Sequence, residues 1–225
     1  MLATFIGTLR IARPTRTGAF VTDLRPLPSG RHQLTREEVV SSQRARMLKA
    51  MCESMLERGY AGTSVTDIVR RAGVSRETFY QQFASKQGCF VQGLDEAIDL
   101  LTALLDAARN PRLQPLERFR VLLRTYLRAL AAEPARARFF LVEVYAAGPE
   151  AVARRMEMQR RFAAEIGDIF EARTDDDRFA CVTLVAAVAQ LVTAHLMAAD
   201  LDGLVALEEP LTRMAERLLT VSSRG

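Results

Sequence analysis

Between Ser64 and Phe83 the chain gathers side chains built to hydrogen-bond with flat or charged partners: Arg76, Glu77, Thr78, Tyr80 and Gln82, with Thr66 slightly upstream. Phe79 and Phe83 lie four residues apart and take the buried side of a helix, which leaves those polar residues on or near the solvent side. A guanidinium fork, hydroxyls and a carboxamide on one short helix are the groups that contact base edges and phosphates in a DNA major groove. The chemistry suggested is recognition of a duplex.

A helix bearing such residues needs support, and the residues before it supply the signals. Ser64 with Asp67 three residues later has the pattern of a helix N-cap, and Val65, Ile68, Val69 and Ala72 form one apolar stripe. Gly73 permits the left-handed backbone of a tight turn, Val74 plugs the angle between two helices, and Ser75 caps the second. Upstream, Thr35 and Glu38 make a capping-box pattern. Val39, Met47, Leu48, Met51, Met55 and Leu56 then recur at near-helical spacing until Gly59 stops the run.

From Met47 to Phe90 this arrangement resembles the DNA-binding domain of the TetR family of bacterial regulators. The resemblance is carried by Met47-Leu48, Ala50-Met51, Gly59-Tyr60, the run from Thr63 to Ile68, Ala72-Gly73-Val74-Ser75, Thr78-Phe79-Tyr80, Phe83 and Ser85-Lys86. It implies that Arg76, Thr78 and Gln82 lie where a recognition helix reaches bases, with Ser75 and Glu77 at its outward-facing N-terminal end. It also implies that Tyr80 and Lys86 hold phosphates. The side-chain chemistry agrees: Arg76 can fork onto guanine O6 and N7, Gln82 can pair with adenine, and the Thr78 methyl can touch a thymine methyl. Thr66 can reach a base or a phosphate. Gly88 and Cys89 stand where similar proteins more usually have an acidic and an apolar residue, which predicts a looser start to the following helix.

The charge distribution fits the same region. Up to residue 95 the chain has 14 Lys and Arg against 8 Asp and Glu, about +6; the remainder has 17 against 19, about −2. A basic segment attracts phosphate backbones, and the near-neutral remainder has no such reason to bind a polyanion. Residues 1–34 contain three Pro, three Gly and five Arg against Asp23 with no sustained period, and are expected to form a basic, flexible arm.

After residue 84 the chain reads as long amphipathic helices with breaks at Asn110-Pro111, Glu133-Pro134, Gly148-Pro149, Thr174-Asp175 and Asp202-Gly203, and no strand-like alternation is present. The expected fold class is all-α, with about nine helices read from the periodicity. An arm over 1–34 precedes a helix-turn-helix domain over 35–90 and a larger helical domain over 91–225. In proteins similar to this one the larger domain binds a small effector and dimerises. Residues 176–199 carry Ala180, Leu184, Ala187, Leu191 and Ala194 on one side and Val185, Val188 and Val192 on another, more apolar faces than one chain needs. With the amphipathic run over 205–221 they predict a homodimer, which would present two recognition helices to half-sites one helical turn apart. Candidate effector-lining residues are Phe119, Leu123, Tyr126, Phe140, Tyr145, Met156 and Phe162, with Glu143 and His195 as polar groups that orient a hydrophobic or amphipathic molecule.

Enzymatic chemistry finds no support in the residue inventory. His32 and His195 are the only histidines, no phosphate-cradling glycine loop or nucleophile elbow occurs, and no carboxylate pair has an acid–base spacing. Cys52, Cys89 and Cys181 are odd in number and far apart, as reduced thiols of a cytoplasmic protein are. No catalytic residue, metal or cofactor is therefore expected. The opening MLATFIGTL is followed, not preceded, by arginines, unlike a signal peptide. The stretch 179–199 is long enough to cross a bilayer but contains Gln190, Thr193 and His195, which favours a buried helix over a membrane span. The function expected is sequence-specific binding of a double-stranded operator, with repression relieved by a small ligand. The competing reading is a helical adaptor, or a nucleic-acid-associated protein without ligand control.

Overall fold

The computed structural model describes residues 35–219. The arm expected over 1–34 and the end of the run expected to reach residue 221 lie outside the described residues. Helices joined by short turns and linkers make up the described residues, with no strand among them, so the all-α expectation holds.

Helix α1 (Arg36–Gly62) starts at a complete capping box: the Thr35 hydroxyl accepts the Glu38 N–H at 3.2 Å and the Glu38 carboxylate accepts the Thr35 N–H at 2.8 Å. Gly59 has φ +70° and kinks the chain, which resumes for one further turn. Helix α2 (Val65–Ala72) also opens on a capping box, Ser64 with Asp67, and ends at Gly73 in the left-handed conformation, φ +64°. Helix α3 (Arg76–Gln82) is capped by Ser75, whose hydroxyl accepts the Thr78 N–H at 3.0 Å. Helix α4 (Lys86–Ala108) starts in regular geometry, contrary to the looser start expected. Ser85 accepts the Gly88 N–H at 3.0 Å, and Cys89 is fully buried in the core.

The remaining helices are α5 (Pro115–Ala132), α6 (Pro134–Leu141), α7 (Pro149–Phe170), α8 (Asp175–Met197), α9 (Leu201–Ala206) and α10 (Glu208–Leu219), with a single 3₁₀ turn at Glu143–Tyr145. Pro115, Pro134 and Pro149 each occupy the first turn of their helix, where a missing N–H costs no hydrogen bond. Two boundaries differ from the sequence expectation. The break expected at Asp202-Gly203 falls before α9, because Asp200 accepts the Gly203 N–H at 2.8 Å and makes these residues the first turn of a new helix. The helix expected over 134–147 ends at Leu141 and passes into the 3₁₀ turn.

Two hydrophobic cores result. In the first, Met47, Met51, Phe79, Phe83 and Phe90 from α1, α3 and α4 pack with Phe139, Phe140 and Val144. The second holds Phe119, Leu123, Leu127, Leu184, Val192, Leu204 and Leu211 from α5, α8, α9 and α10. Arg124 donates to Glu208 at 2.9 and 2.7 Å, strapping α10 to α5. Helix α8 is long and apolar enough to span a bilayer by length and composition, and it is not the wholly buried helix expected. Leu184, Val185 and Val192 face inward, whereas Phe179, Val182, Ala186 and Met197 point outward, Phe179 being 72% exposed. At 100° per residue these four lie on one side of the helix.

Candidate nucleic-acid interface and ligand cavity

Helices α2 and α3 are fixed by polar ties as well as by the core. Arg46 of α1 donates to the Ala72 carbonyl at 3.0 Å, satisfying an acceptor left over at the end of α2. Arg71 donates to Ser54 at 3.3 Å and to Glu57 at 2.6 Å, holding α2 against α1. The Arg44 guanidinium sits 5.2 Å from the Phe83 ring centre and pairs with Glu96 at 3.2 Å, tying the end of α3 to α4. These contacts set two short helices at an angle across a glycine turn: a helix-turn-helix.

Thr66, Ser75, Arg76, Glu77 and Tyr80 are exposed together on the outer side of this element, with Gln81 beside them, a residue the sequence reasoning passed over. Arg76 donates to Thr66 Oγ1 at 3.0 Å, so the start of α2 and the start of α3 share one polar cluster. Its guanidinium lies 6.0 Å from the Tyr80 ring centre, and that ring is braced edge-on by Phe79 at 5.4 Å. The Ser75 and Thr78 hydroxyls lie 2.9 Å apart at the cap of α3. Thr78 and Gln82 are half-buried, and Gln82 Oε1 has no partner among the described residues. Lys86 turns inward: its ammonium donates to the carbonyls of Tyr60 at 2.7 Å and Thr63 at 2.9 Å and lies 4.0 Å from the Tyr60 ring centre. Removal from water pushes its pKa down.

Asp67 accepts from Ser64, Arg58 and Arg70, and those hydrogen bonds, first of all from Ser64, hold its carboxyl at about 2. Burial pushes all three thiols up, Cys52 to about 12, so they remain protonated and unreactive at neutral pH.

A cavity of about 90 Å³ opens between α5, α7 and α8. Phe119, Leu123, Tyr126 and Phe162 line it, as does Arg155, which the sequence reasoning missed. The other five candidate ligand residues lie elsewhere. Phe140 belongs to the first core, and Tyr145 and Met156 are exposed. His195 Nδ1 is 2.9 Å from Asp200, and Glu143 Oε2 accepts the Tyr60 N–H at 2.8 Å, joining the 3₁₀ turn to the end of α1. Nothing in the sequence pattern separates Arg155 from its exposed neighbour Arg154.

Residues 47–92 match the family model of bacterial regulatory proteins of the tetR family, over the same helices that form the helix-turn-helix. That segment is what the match covers: a DNA-binding domain of the tetR-family type over residues 47–92. Among curated proteins, the chain is similar to the HTH-type transcriptional regulator RutR of Escherichia coli K12, 28% identical over 114 residues, covering 51% of this chain and 53% of RutR. It is also similar to the HTH-type transcriptional regulator AlkX of Mycobacterium tuberculosis, 38% identical over 66 residues, covering 27% of this chain and 31% of AlkX. The chain thus spans about half the length, or less, of these curated relatives. Among solved structures, the fatty acid degradation regulator FadR from Bacillus halodurans superposes with a TM-score of 0.68 at 19% identity, covering 79% of this chain and 94% of that one. FadR from Bacillus subtilis in complex with stearoyl-CoA gives 0.67 at 18%, covering 78% and 97%. At such identities the likeness shows that this chain shares their fold.

Proposed function

We propose that the protein is a sequence-specific DNA-binding transcriptional regulator, a repressor that leaves its operator when a small hydrophobic or amphipathic ligand occupies the cavity between α5, α7 and α8. The observation that carries this reading is the exposed cluster of Thr66, Ser75, Arg76, Glu77 and Tyr80, held rigid on a two-helix element. Arg76 reads a guanine and Tyr80 and Thr66 grip phosphates. Thr78 and Gln82 reach bases from the flank of α3, and Lys86 adds a positive charge behind the helix. Residues 35–90 act as the reading head and residues 91–225 as the effector-binding and dimerising body.

A homodimer is supported by the outward apolar side of α8, Phe179, Val182, Ala186 and Met197, beside Leu218 of α10. Covering that side with the same helices of a second copy removes apolar surface from water and sets two recognition helices on one duplex. The ligand class is supported by the apolar cavity wall and by the shared fold with a FadR that was solved with stearoyl-CoA. As an operator-binding protein it works where the chromosome is, in the cytoplasm.

Selection of bound fragments from the source genome tests the whole reading. Recovered sites are expected to contain two half-sites about one helical turn apart. Affinity is expected to fall steeply with salt. Arg76→Ala is expected to weaken binding by about 1–3 kcal/mol and relax one base position in each half-site. Salt-insensitive binding, or no enriched sequence, would favour the helical adaptor instead.

A further inference from the structure

Arg155 is anomalous for a surface helix. It is 4% exposed and lies on the cavity wall, although a guanidinium carries a permanent positive charge and five N–H donors. The three other arginines of α7 each face a carboxylate: Arg154 pairs with Asp95 at 3.6 Å, and Arg160 and Arg161 pair with Glu157 at 2.8 and 3.4 Å. Among the described residues Arg155 has no such partner. It donates to the Leu141 carbonyl at 3.2 Å, lies 5.4 Å from the Tyr145 ring centre, and leaves Nε unbonded. A buried charge is strongly disfavoured unless an opposite charge or a full set of hydrogen bonds offsets it.

The rest of the cavity explains what could supply that offset. Phe119, Leu122, Phe162, Ile166 and Val188 make its wall apolar. Tyr126 brings a hydroxyl that no hydrogen bond among the described residues uses. Burial pushes that phenol up to about 12 against the opposing charge of Arg155, so it stays a neutral donor at physiological pH. The one acid on the wall, Glu165, is held by Arg109 at 3.0 Å. It sits ten residues along α7 from Arg155, about 15 Å along the helix axis. One end of the cavity is therefore cationic and uncompensated, and the walls beyond it are greasy.

We propose that the ligand of this cavity is an amphipathic carboxylate, its head held by the Arg155 guanidinium with the Tyr126 hydroxyl as second donor and its apolar body lying between α5, α7 and α8. The inference deepens the ligand-controlled reading above and rests on it. A cavity of about 90 Å³ holds on the order of seven water-sized volumes, which suits a medium-length chain. The same guanidinium holds Leu141, two residues before the Glu143 that grips Tyr60 of the reading head, so the head group and the grip on the DNA-binding element share one short segment.

Calorimetric titration of the full chain with octanoate, octanol, octylamine and octanoyl-coenzyme A tests it. Octanoate is expected to bind at least tenfold more tightly than octanol, and octylamine not to bind. Arg155→Gln is expected to bring octanoate down to the octanol affinity while leaving octanol unchanged. Val188→Trp, which fills the cavity without touching the charge, is expected to abolish octanoate binding, so the proposal stays decidable if Arg155→Gln does not fold. Equal affinities for octanoate and octanol, a preference for octanoyl-coenzyme A, no binding by any probe, or octanoate binding that survives Val188→Trp would each overturn the carboxylate assignment. Operator affinity measured with and without octanoate separates the two ideas: tight octanoate binding that leaves operator affinity unchanged upholds the carboxylate site and overturns ligand control of DNA binding.

Discussion

The reading head, from α1 to the start of α4, and the body behind it handle burial in opposite ways. In the head, fully buried Met47, Met51, Phe79, Phe83 and Phe90 form the interior, and the outer face carries Arg76, Glu77 and Gln81. Around α2 and α3 the apolar residues are inside and the polar ones outside, and Phe139, Phe140 and Val144 of the body complete that core. In the body, Phe179, Val182 and Met197 stand in solvent while Arg155 sits inside with no counter-charge among the described residues and its Nε unbonded. The head keeps its charged groups on the outer face. The body has two departures from that pattern, one on each side of its wall, and each marks a place where another molecule would restore it: an apolar partner outside and an anion inside.

The sharpest way to break this comparison is to remove a ring from the head's core. Phe79→Ala is expected to destabilise the protein by about 3–5 kcal/mol in denaturant titration. It should also abolish operator binding while octanoate still titrates normally. Equal loss of both activities would show that head and body do not function as separable units.

A smaller effect is expected at the joint. Glu143→Leu leaves the Tyr60 N–H unpaired and half-buried, at a cost of about 1–3 kcal/mol. Calorimetry should then show the head melting ahead of the body. One unchanged transition would mean that the aromatic contact of Phe90 with Phe139, ring centres 4.7 Å apart, joins the regions without help from Glu143.

The smallest effect is electrostatic and confined to the head. Asp67 has its folded pKa lowered to about 2 from an ordinary 3.8, chiefly by the Ser64 hydrogen bonds. A depressed carboxyl pKa stabilises the fold above the unfolded value and loses that stabilisation as pH falls through the folded one. Asp67→Asn is therefore expected to lower the melting temperature at pH 6 and to make no difference near pH 2. A gap between the two proteins that persists at pH 2 would count against the cap as its source.

How far each region could be read from the sequence follows the same division. The head's signals act over three or four residues: Thr35 with Glu38, Ser64 with Asp67, Ser75 before α3, and Gly73 in its left-handed turn all take the conformations their chemistry predicts. Spacing also brought out Arg76, Glu77 and Tyr80 as an exposed group, and Thr78 and Gln82, set beside them by the same spacing, are half-buried. Lys86 shows where local reading stops. The family resemblance implied a phosphate contact, yet its ammonium is engaged by carbonyls 26 and 23 residues earlier in the chain.

The sequence by itself determined the all-helical class, the capped starts of the first three helices and the two-helix element, because capping and helical periodicity depend on neighbours within a turn or two. Periodicity gives a helix an apolar side but not the neighbour that covers it. Tertiary structure alone decided that Leu184 faces the core and Phe179 the solvent, and that Glu143 grips a residue 83 positions away. It likewise decided that, of the adjacent Arg154 and Arg155, the first meets a carboxylate and the second a cavity. Those outcomes depend on contacts between helices far apart in the chain, and no local pattern encodes them.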